Sequence, residues 1–475
     1  MTPDWHYPSS TRPAAWNARL AAAATIVLSF WVVGHSLTQS RTLFQESTLD
    51  ANRVENRFAA QQRGTTTSSA VGFFLLGGMG LACWATSSSA GINWRHPLML
   101  FCAAYVGWCV LSLAWSVDSA QTVRKLAILA LMLIGAYGAA TRFDLDDLLA
   151  ITMLALGGLV GVGLLAELAL GMFRPWRSDY RFSGTCHPND QAVQCALLAL
   201  AAAGATWLKR DYVWLRRLII AGGVVGLALT KSRTTLLALI VAAALAAVLS
   251  AKGLQRWLVL CGGIALLCLA GIASNFISVS DLDASMDIAS MGRRENVSSL
   301  TGRLPLWNEL WKSAVKEPVV GHGYGGFWGE RNVLKYSAIF AWHIPHAHNG
   351  YLDLMLAIGV IGAVLYVAWV VATAAVAAWR FERSSWAAEL AVVCLLAFSL
   401  IHALTESKFP GAGIGAYFVL MMMAAVAIRR PVLSGALDAL HPSHSFGNDG
   451  AQHAWPLGIN PASIISAHRG DQLSN

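Results

Sequence analysis

Charge is what this sequence has least of. Only 13% of its 475 residues are Asp, Glu, Lys or Arg, while 56% are hydrophobic. A soluble domain carries about 25% charged residues, so an ordinary water-facing surface is excluded. A C-x-x-C spacing is also missing, and the eight cysteines therefore suggest neither a zinc site nor a disulfide framework. Cys83, Cys102, Cys109, Cys195, Cys261, Cys268 and Cys394 sit in apolar runs and read as small buried hydrophobes; Cys186, in a polar loop, is the exception. No internal repeat stands out. "GHGYGGFWG" has glycines at 321, 323, 325, 326 and 329, which permit a tight backbone path. No strand precedes them, so this is not a nucleotide-binding fingerprint. The opening "MTPDWHYPSSTRPAAWNARL" lacks a cleavable signal pattern, and the apolar run behind it is expected to stay as a first helix.

What the sequence has instead is a succession of apolar windows. A helix needs about 20 predominantly apolar residues to cross a bilayer. Such windows predict an all-α polytopic membrane protein with about twelve spans, over 18–37, 69–90, 97–116, 125–140, 147–172, 188–208, 215–231, 233–250, 257–273, 348–378, 386–405 and 411–428. The expected organisation is a block of nine spans over 1–273 with periplasmic loops 38–68 and 173–187, a periplasmic loop domain with short helices over 274–347, three more spans over 348–430, and a disordered cytoplasmic tail over 431–475.

Short basic loops set the orientation. Lys209, Arg210, Arg216 and Arg217, then Lys252 and Arg256, then Arg380 and Arg383, then Arg429 and Arg430 fall on alternate connections. All share one side if both termini are cytoplasmic. That assignment leaves Arg174, Arg177 and Arg181, the pair Lys231 and Arg233, and Arg303 on the far face. Topological noise or lipid phosphate contacts account for any one of them. Three basic clusters on one face instead point to a di-anionic, lipid-linked ligand, because Arg grips phosphate through two parallel bonds.

Within 274–347, "SLTGRLPLWNELWKSAVKEP" places Leu304, Trp307, Trp311 and Ala314 at helical spacing, with Pro318 as a stop. Such a stripe suits a helix lying at the membrane interface, a helix packed on the tops of the spans, or both. The same loop ends in "AWHIPHAHNGYLDLMLAIGVIG", where His343, His346 and His348 crowd the mouth of a span. A metal site would need a fourth ligand, and no Cys or acidic cluster supplies one; Asp353 lies further along the helix. Capping and packing is a second reading, open for His343 and His346. General-base catalysis is the third, since a His near neutrality suits removal of a proton from a hydroxyl.

"HNGYLDLMLAIGVIG", residues 348–362, resembles the signature of the O-antigen ligase and polymerase superfamily. "GRLPLWNELWKSAVKEPVVGHGYGGF" resembles its Arg, Trp and Gly-rich stretch, and "RFSGTCHPNDQA" and "KSRTTLLA" resemble its two earlier motifs. The resemblance implies a bacterial inner-membrane glycosyltransferase of lipopolysaccharide biosynthesis, working at the periplasmic face without metal, ATP or any other cofactor. The donor would be a glycan on undecaprenyl pyrophosphate. For a ligase, the acceptor would be a sugar hydroxyl of lipid A–core. By position, His348 would be the base, at the first turn of its span. Arg181, Arg233 and Arg303 would hold the pyrophosphate or the core phosphates. His346, Asn349, Tyr351, Lys231, Asn189 and Tyr324 stand beside them as secondary candidates, and the additional His346 leaves two rings competing for the role of base. Besides the substrates, membrane lipids are the expected partners, and nucleic acid is not.

Physical chemistry agrees with that implication. Breaking the anomeric C–O bond releases a pyrophosphate, and fixed Arg donors in a half-dry cavity would stabilise its charge. No nucleophilic carboxylate stands out in the motifs, which favours a single inverting displacement. An O-antigen polymerase or a protein O-oligosaccharyltransferase shares these motifs and differs in acceptor. A secondary transporter or lipid flippase is the alternative from another class. Broken helices and inverted repeats would mark it, and the sequence displays neither. Glu167 and Glu389, the candidate intramembrane charges, read either as buried and paired or as part of an ion path.

Overall fold

The structure, a computed structural model, describes residues 70–87, 96–178, 180–205, 212–253, 255–256, 298–340, 342, 344–409, 411 and 413–428, with Ala23, Ala24 and Ile26. The rest of the predicted span 18–37, and all of span 257–273, loop 38–68, residues 274–297, His343 and the tail 431–475 lie outside the described residues. A unit comprising Met1–Arg429 is separate from Arg430–Asn475.

Among the described residues the chain is helical throughout. The helices are α1 (Ala70–Thr86), α2 (Pro97–Leu111, prolonged by a 3-10 turn Ser112–Trp115), α3 (Ser119–Arg142), α4 (Leu145–Ala169), α5 (Pro188–Gly204) and α6 (Val213–Thr230). They continue as α7 (Arg233–Ser250), α8 (Ser298–Ala314), α9 (Glu330–Phe340), α10 (Gly350–Ser384), α11 (Ala387–His402) and α12 (Ile414–Ile428). Six of them are long and apolar enough to cross a membrane, and α1, α11 and α12 are shorter apolar helices. This is a polytopic membrane protein.

The helix starts follow from sequence. Asp118 and Asp144 cap α3 and α4 by accepting from Gln121 N and Asp147 N. Two His-Pro pairs start α2 and α5. His96 Nδ1 accepts from Leu98 N, His187 Nδ1 accepts from Asn189 N, and each proline fills the first helical position, where an N–H has no intrahelical partner. Apolar residues surround α5, α11 and α12 on all sides, and these three are the buried centre of the bundle. Around them, α5 packs on α4 and α6, α12 on α3, α11 on α7 and α10, and α10 on α2.

Helix α10 has 35 residues, about 50 Å if straight and well beyond a hydrocarbon core of about 30 Å. It is broken at Gly359, whose φ of 66° and ψ of −173° are not helical. This corrects the expectation of unbroken helices. The stretch from 360 to 384 is long enough to span alone, and the segment before the break is a short half-helix.

The break is plugged by this chain's own Gly-rich turn. His322 N and Nδ1 reach Leu356 O at 2.9 and 3.0 Å, and Trp108 Nε1 donates to Ile358 O at 2.9 Å. Val360 N donates to Pro318 O at 2.9 Å. Non-helical backbone at membrane depth is tolerated only when its freed groups are met in this way. A side chain at Gly359 would run into the Val319 carbonyl, in a conformation that L-residues rarely adopt. Gly359→Ala is therefore expected to cost about 1–3 kcal/mol from backbone strain alone, read as a lowered unfolding temperature in detergent.

Helix α8 lies on α10 and has two apolar faces. Leu306, Leu310 and Ala314 are fully buried in a second small core with Phe327, Tyr336, Ile344, Leu352 and Leu356. Of the predicted stripe, Ala314 joins that core and Trp307 donates its Nε1 to Ala347 O at 2.8 Å. Leu304 and Trp311, 54% and 50% exposed, face outward. The buried face is thus shifted from the stripe, because Leu306 and Leu310 join Leu352 and Leu356 in that core while the outer pair stays exposed.

Candidate active site

One end of the bundle gathers the charges. The N-termini of α5, α7 and α10 and the C-termini of α4, α6 and α11 all meet there, so both positive and negative helix-dipole ends surround the region. Its centre is Glu406, in the short connection after α11, with a side chain only 2% exposed. Oε1 of Glu406 accepts from Arg303 Nη2 and Asn189 Nδ2, each at 2.9 Å, and Oε2 lies 3.4 Å from His348 Nδ1. Arg303 also donates Nη1 to Thr405 O at 2.6 Å. Arg181 extends the line: its Nη2 donates to Asn189 Oδ1 at 3.0 Å and its Nε to Thr230 O at 2.9 Å. Three residues expected from their motifs, Asn189, Arg303 and His348, therefore meet on one carboxylate, and Arg181 joins them through Asn189.

The other candidates fall into place around this line or outside it. Arg233 opens α7 one turn beyond the Thr230 carbonyl that Arg181 holds. Lys231 has a left-handed backbone (φ 56°) and donates Nζ to Ser178 O, tying the α6–α7 turn to the Arg181 loop. Asn349 spends its side-chain oxygen capping α10, accepting from Tyr351 N and Leu352 N. Tyr351 donates its hydroxyl to Leu400 O at 2.7 Å and pins α10 to α11. Tyr324 is placed elsewhere, with its backbone N–H on Ser112 Oγ at 2.9 Å; burial, then neighbouring Cys109, push its phenol pKa up.

His348 precedes its helix instead of opening the first turn, because Asn349 is the stronger cap. Its φ of 52° is left-handed, uncommon for a residue with a side chain. Asp353, one turn into α10, holds the preceding backbone, accepting from Ala347 N at 3.0 Å and from Trp328 Nε1 at 2.7 Å. The His348 ring sits between His346, 4.2 Å away by centroid, and Trp342, at 5.3 Å. With Nδ1 turned to Glu406, Nε2 is buried and has no hydrogen-bond partner among the described residues. His346 instead spends its Nδ1 accepting from His348 N at 3.3 Å.

Two charged residues that no motif marks, Lys408 and Glu406 itself, complete the cluster. Lys408 lies 2.7 Å from Asp190. Burial lowers its pKa, but the Asp190 and Glu406 carboxylates outweigh that and hold it above the usual lysine value. For Glu406, burial pushes the pKa up, but the His348 hydrogen bond and the Arg303, His348 and Lys408 charges prevail and hold it well below the usual range. The signal for Glu406 was its isolation: it is the one acid in "ALTESKFPG", a connection on the face that carries the histidines.

Burial, then the charges of His348 and Lys408, hold His346 well below its ordinary 6.5. Unfolded chains take up a proton at this position near pH 6.5, and the folded protein does not. Stability is therefore expected to decline as pH falls below 6.5. The Glu406 carboxylate adds to the decline further down, since its contribution is present above the ordinary carboxylate range and lost beneath it. Thermal unfolding between about pH 7.5 and pH 5, which brackets the ordinary His value, checks this, and His346→Asn should flatten the upper part of the slope.

A polar, cation-rich site lies at one end of an apolar bundle, with a buried imidazole nitrogen left open, and its chemistry suits an anionic ligand. Residues 218–367 match the family model described as O-antigen ligase. The match covers less than half of the chain and supports a likeness to the O-antigen ligase and polymerase superfamily, whose members are glycosyl-transfer enzymes. No curated protein matches the chain. The matched segment includes Arg233, Arg303, His346 and His348, while Arg181, Asn189, Glu406 and Lys408 lie outside it and reach the site through the fold.

Proposed function

We infer that this protein is an O-antigen ligase, transferring a glycan from undecaprenyl pyrophosphate to a sugar hydroxyl of lipid A–core by one inverting displacement, with no metal or nucleotide sugar. The observation that carries the reading is the open Nε2 of His348 opposite an Nδ1 directed at a buried carboxylate. In the neutral ring, Nδ1–H donates to Glu406 and the buried Nε2 lone pair is left for a substrate proton. That is the base–orienter arrangement of an activated nucleophile, and distances near 3.4 Å are common before substrate tightens them. The acceptor hydroxyl gives its proton to Nε2 as its oxygen attacks the anomeric carbon. The C–O bond to the pyrophosphate breaks, and the departing oxygen carries the electron pair. Arg181 and Arg233 meet that charge, and Arg303 holds the carboxylate that the base also touches. The spent Nδ1 of His346 favours His348 as the base.

The site faces the periplasm of a bacterial inner membrane in this reading, with residues 274–347 as the loop domain above it and 431–475 in the cytoplasm. Support comes from the other end of the bundle. There Arg142 holds Thr86 O, Arg256 faces Glu382 at 4.0 Å and Trp386 holds Asp146, beside the basic pairs Lys252/Arg256 and Arg380/Arg383.

Arg181→Ala and Arg233→Ala are each expected to lose transfer by about 2–4 kcal/mol of transition-state stabilisation, with the folded yield unchanged. Lysine at either position should rescue poorly, for want of a two-pronged donor. Purified protein mixed with lipid-linked glycan and lipid A–core, with no nucleotide, tests the function itself. Ligated product supports the reading. Glycan polymer, or product only with a protein acceptor, assigns a sister activity and overturns the ligase reading.

A further inference from the structure

Glu167 is a fully buried carboxylate that the transfer reaction does not use. It stands in the last turn of α4. Its Oε1 accepts from Ser183 N at 3.0 Å, Gly184 N at 2.9 Å and Ser183 Oγ at 3.3 Å, and its Oε2 takes the Tyr180 hydroxyl at 2.6 Å. All four donors belong to residues 180–184, the short segment that carries Arg181. The same segment is anchored on its other side to α6: Phe182 N donates to Leu229 O at 2.9 Å, and Arg181 Nε holds the next carbonyl, that of Thr230. Gly184 lies so near α4 that an added Cβ would stand 3.0 Å from the Gly163 Cα. Arg181 is thus fixed on a strap held between two helices, and Glu167 forms most of the polar attachment on the α4 side.

We propose that Glu167 is a positioning residue for Arg181, and through it for the pyrophosphate end of the lipid-linked donor. This rests on the transfer reading above. A carboxylate suits the task because it accepts at both oxygens and donates nothing. A methyl group there would leave two backbone N–H groups and two hydroxyls unmet inside the protein, and the strap would have to shift to find partners. Glutamine keeps most of the arrangement: its oxygen accepts from the two backbone N–H groups, and its NH₂ faces the Tyr180 oxygen, which can turn to accept. These bonds also account for a charge at this depth without an ion path, because donors occupy both oxygens.

Purified Glu167→Ala, Glu167→Gln, Arg181→Ala and the Glu167→Ala/Arg181→Ala double variant are compared by two readouts. One is transfer rate against lipid-linked donor concentration. The other is binding of undecaprenyl pyrophosphate alone, followed by tryptophan fluorescence. Displacing a positioned group by about 1 Å costs on the order of 10²-fold. Glu167→Ala should approach that loss in transfer and in undecaprenyl pyrophosphate affinity, and Glu167→Gln should stay close to wild type. The double variant should be no worse than Arg181→Ala, because residues acting as one unit are not additive. A double variant whose losses multiply overturns the proposal, as does Glu167→Ala with wild-type binding. Should Glu167→Ala fail to fold, Ser183→Ala and Tyr180→Phe each remove part of the same attachment, and the same cycle with Arg181→Ala decides. A wild-type protein that binds undecaprenyl pyrophosphate, loses binding non-additively in the variants, yet transfers nothing sinks the transfer reading and leaves Glu167 in its role. Failure of the wild type to bind the probe overturns both.

Discussion

His348→Ala slows glycan transfer by about 10²–10⁴-fold, the usual contribution of a positioned general base, and leaves donor binding near the wild-type level. The split between rate and binding is the informative part. Arg181 and Arg233 hold the donor in this account, and His348 acts on the acceptor hydroxyl, so removing the ring should lower kcat far more than it raises the donor KM. His346→Ala should fall less, since that ring spends Nδ1 on the His348 backbone. A dead His346→Ala beside an active His348→Ala would assign the base to the other ring.

Glu406→Ala is expected to damage both stability and activity. Its carboxylate is shared by Arg303, Asn189 and His348, and its removal leaves the Arg303 guanidinium, only 20% exposed, without its counter-charge. Deleting one partner of a buried ion pair costs about 3–5 kcal/mol, readable as a fall in unfolding temperature. Glu406→Gln separates the two roles. The amide oxygen can still accept from a donor, so folding should recover in large part. Its NH₂ can instead face His348 Nδ1, which favours the tautomer that places the proton on Nε2, the wrong one for a base. Transfer should therefore remain low in Glu406→Gln while the unfolding temperature recovers. Recovery of both would reduce Glu406 to a structural anchor.

The helices were legible because an apolar run of span length has few other folds open to it. Predicted spans 125–140 and 233–250 coincide with α3 and α7 to within a few residues at most ends, α3 starting earlier because Asp118 caps it. Arg181, Asn189, Arg303 and His348 were legible as site candidates through their motifs, and the fold brings them together. Glu406 was not. No motif marks it beyond its being the one acid in its connection, and its partner His348 lies 58 residues away, brought near by the packing of α10 on α11. Gly359 was also hidden, because a glycine inside an apolar run looks the same in a straight helix as in a broken one. Its conformation is set by the turn 318–322, which no local pattern ties to it. The same turn draws Tyr324 towards Ser112 and away from the Glu406 cluster, although its neighbours in sequence made it a candidate.

The account stands on a single displacement driven by His348 with Glu406 behind it. The most direct measurement is the anomeric configuration of the new glycosidic bond, read by NMR on product made from a lipid-linked donor of known configuration. Inversion is predicted, since the acceptor oxygen must attack the face opposite the departing pyrophosphate. Retention would require a covalent glycosyl-enzyme or a second displacement, and would contradict the mechanism.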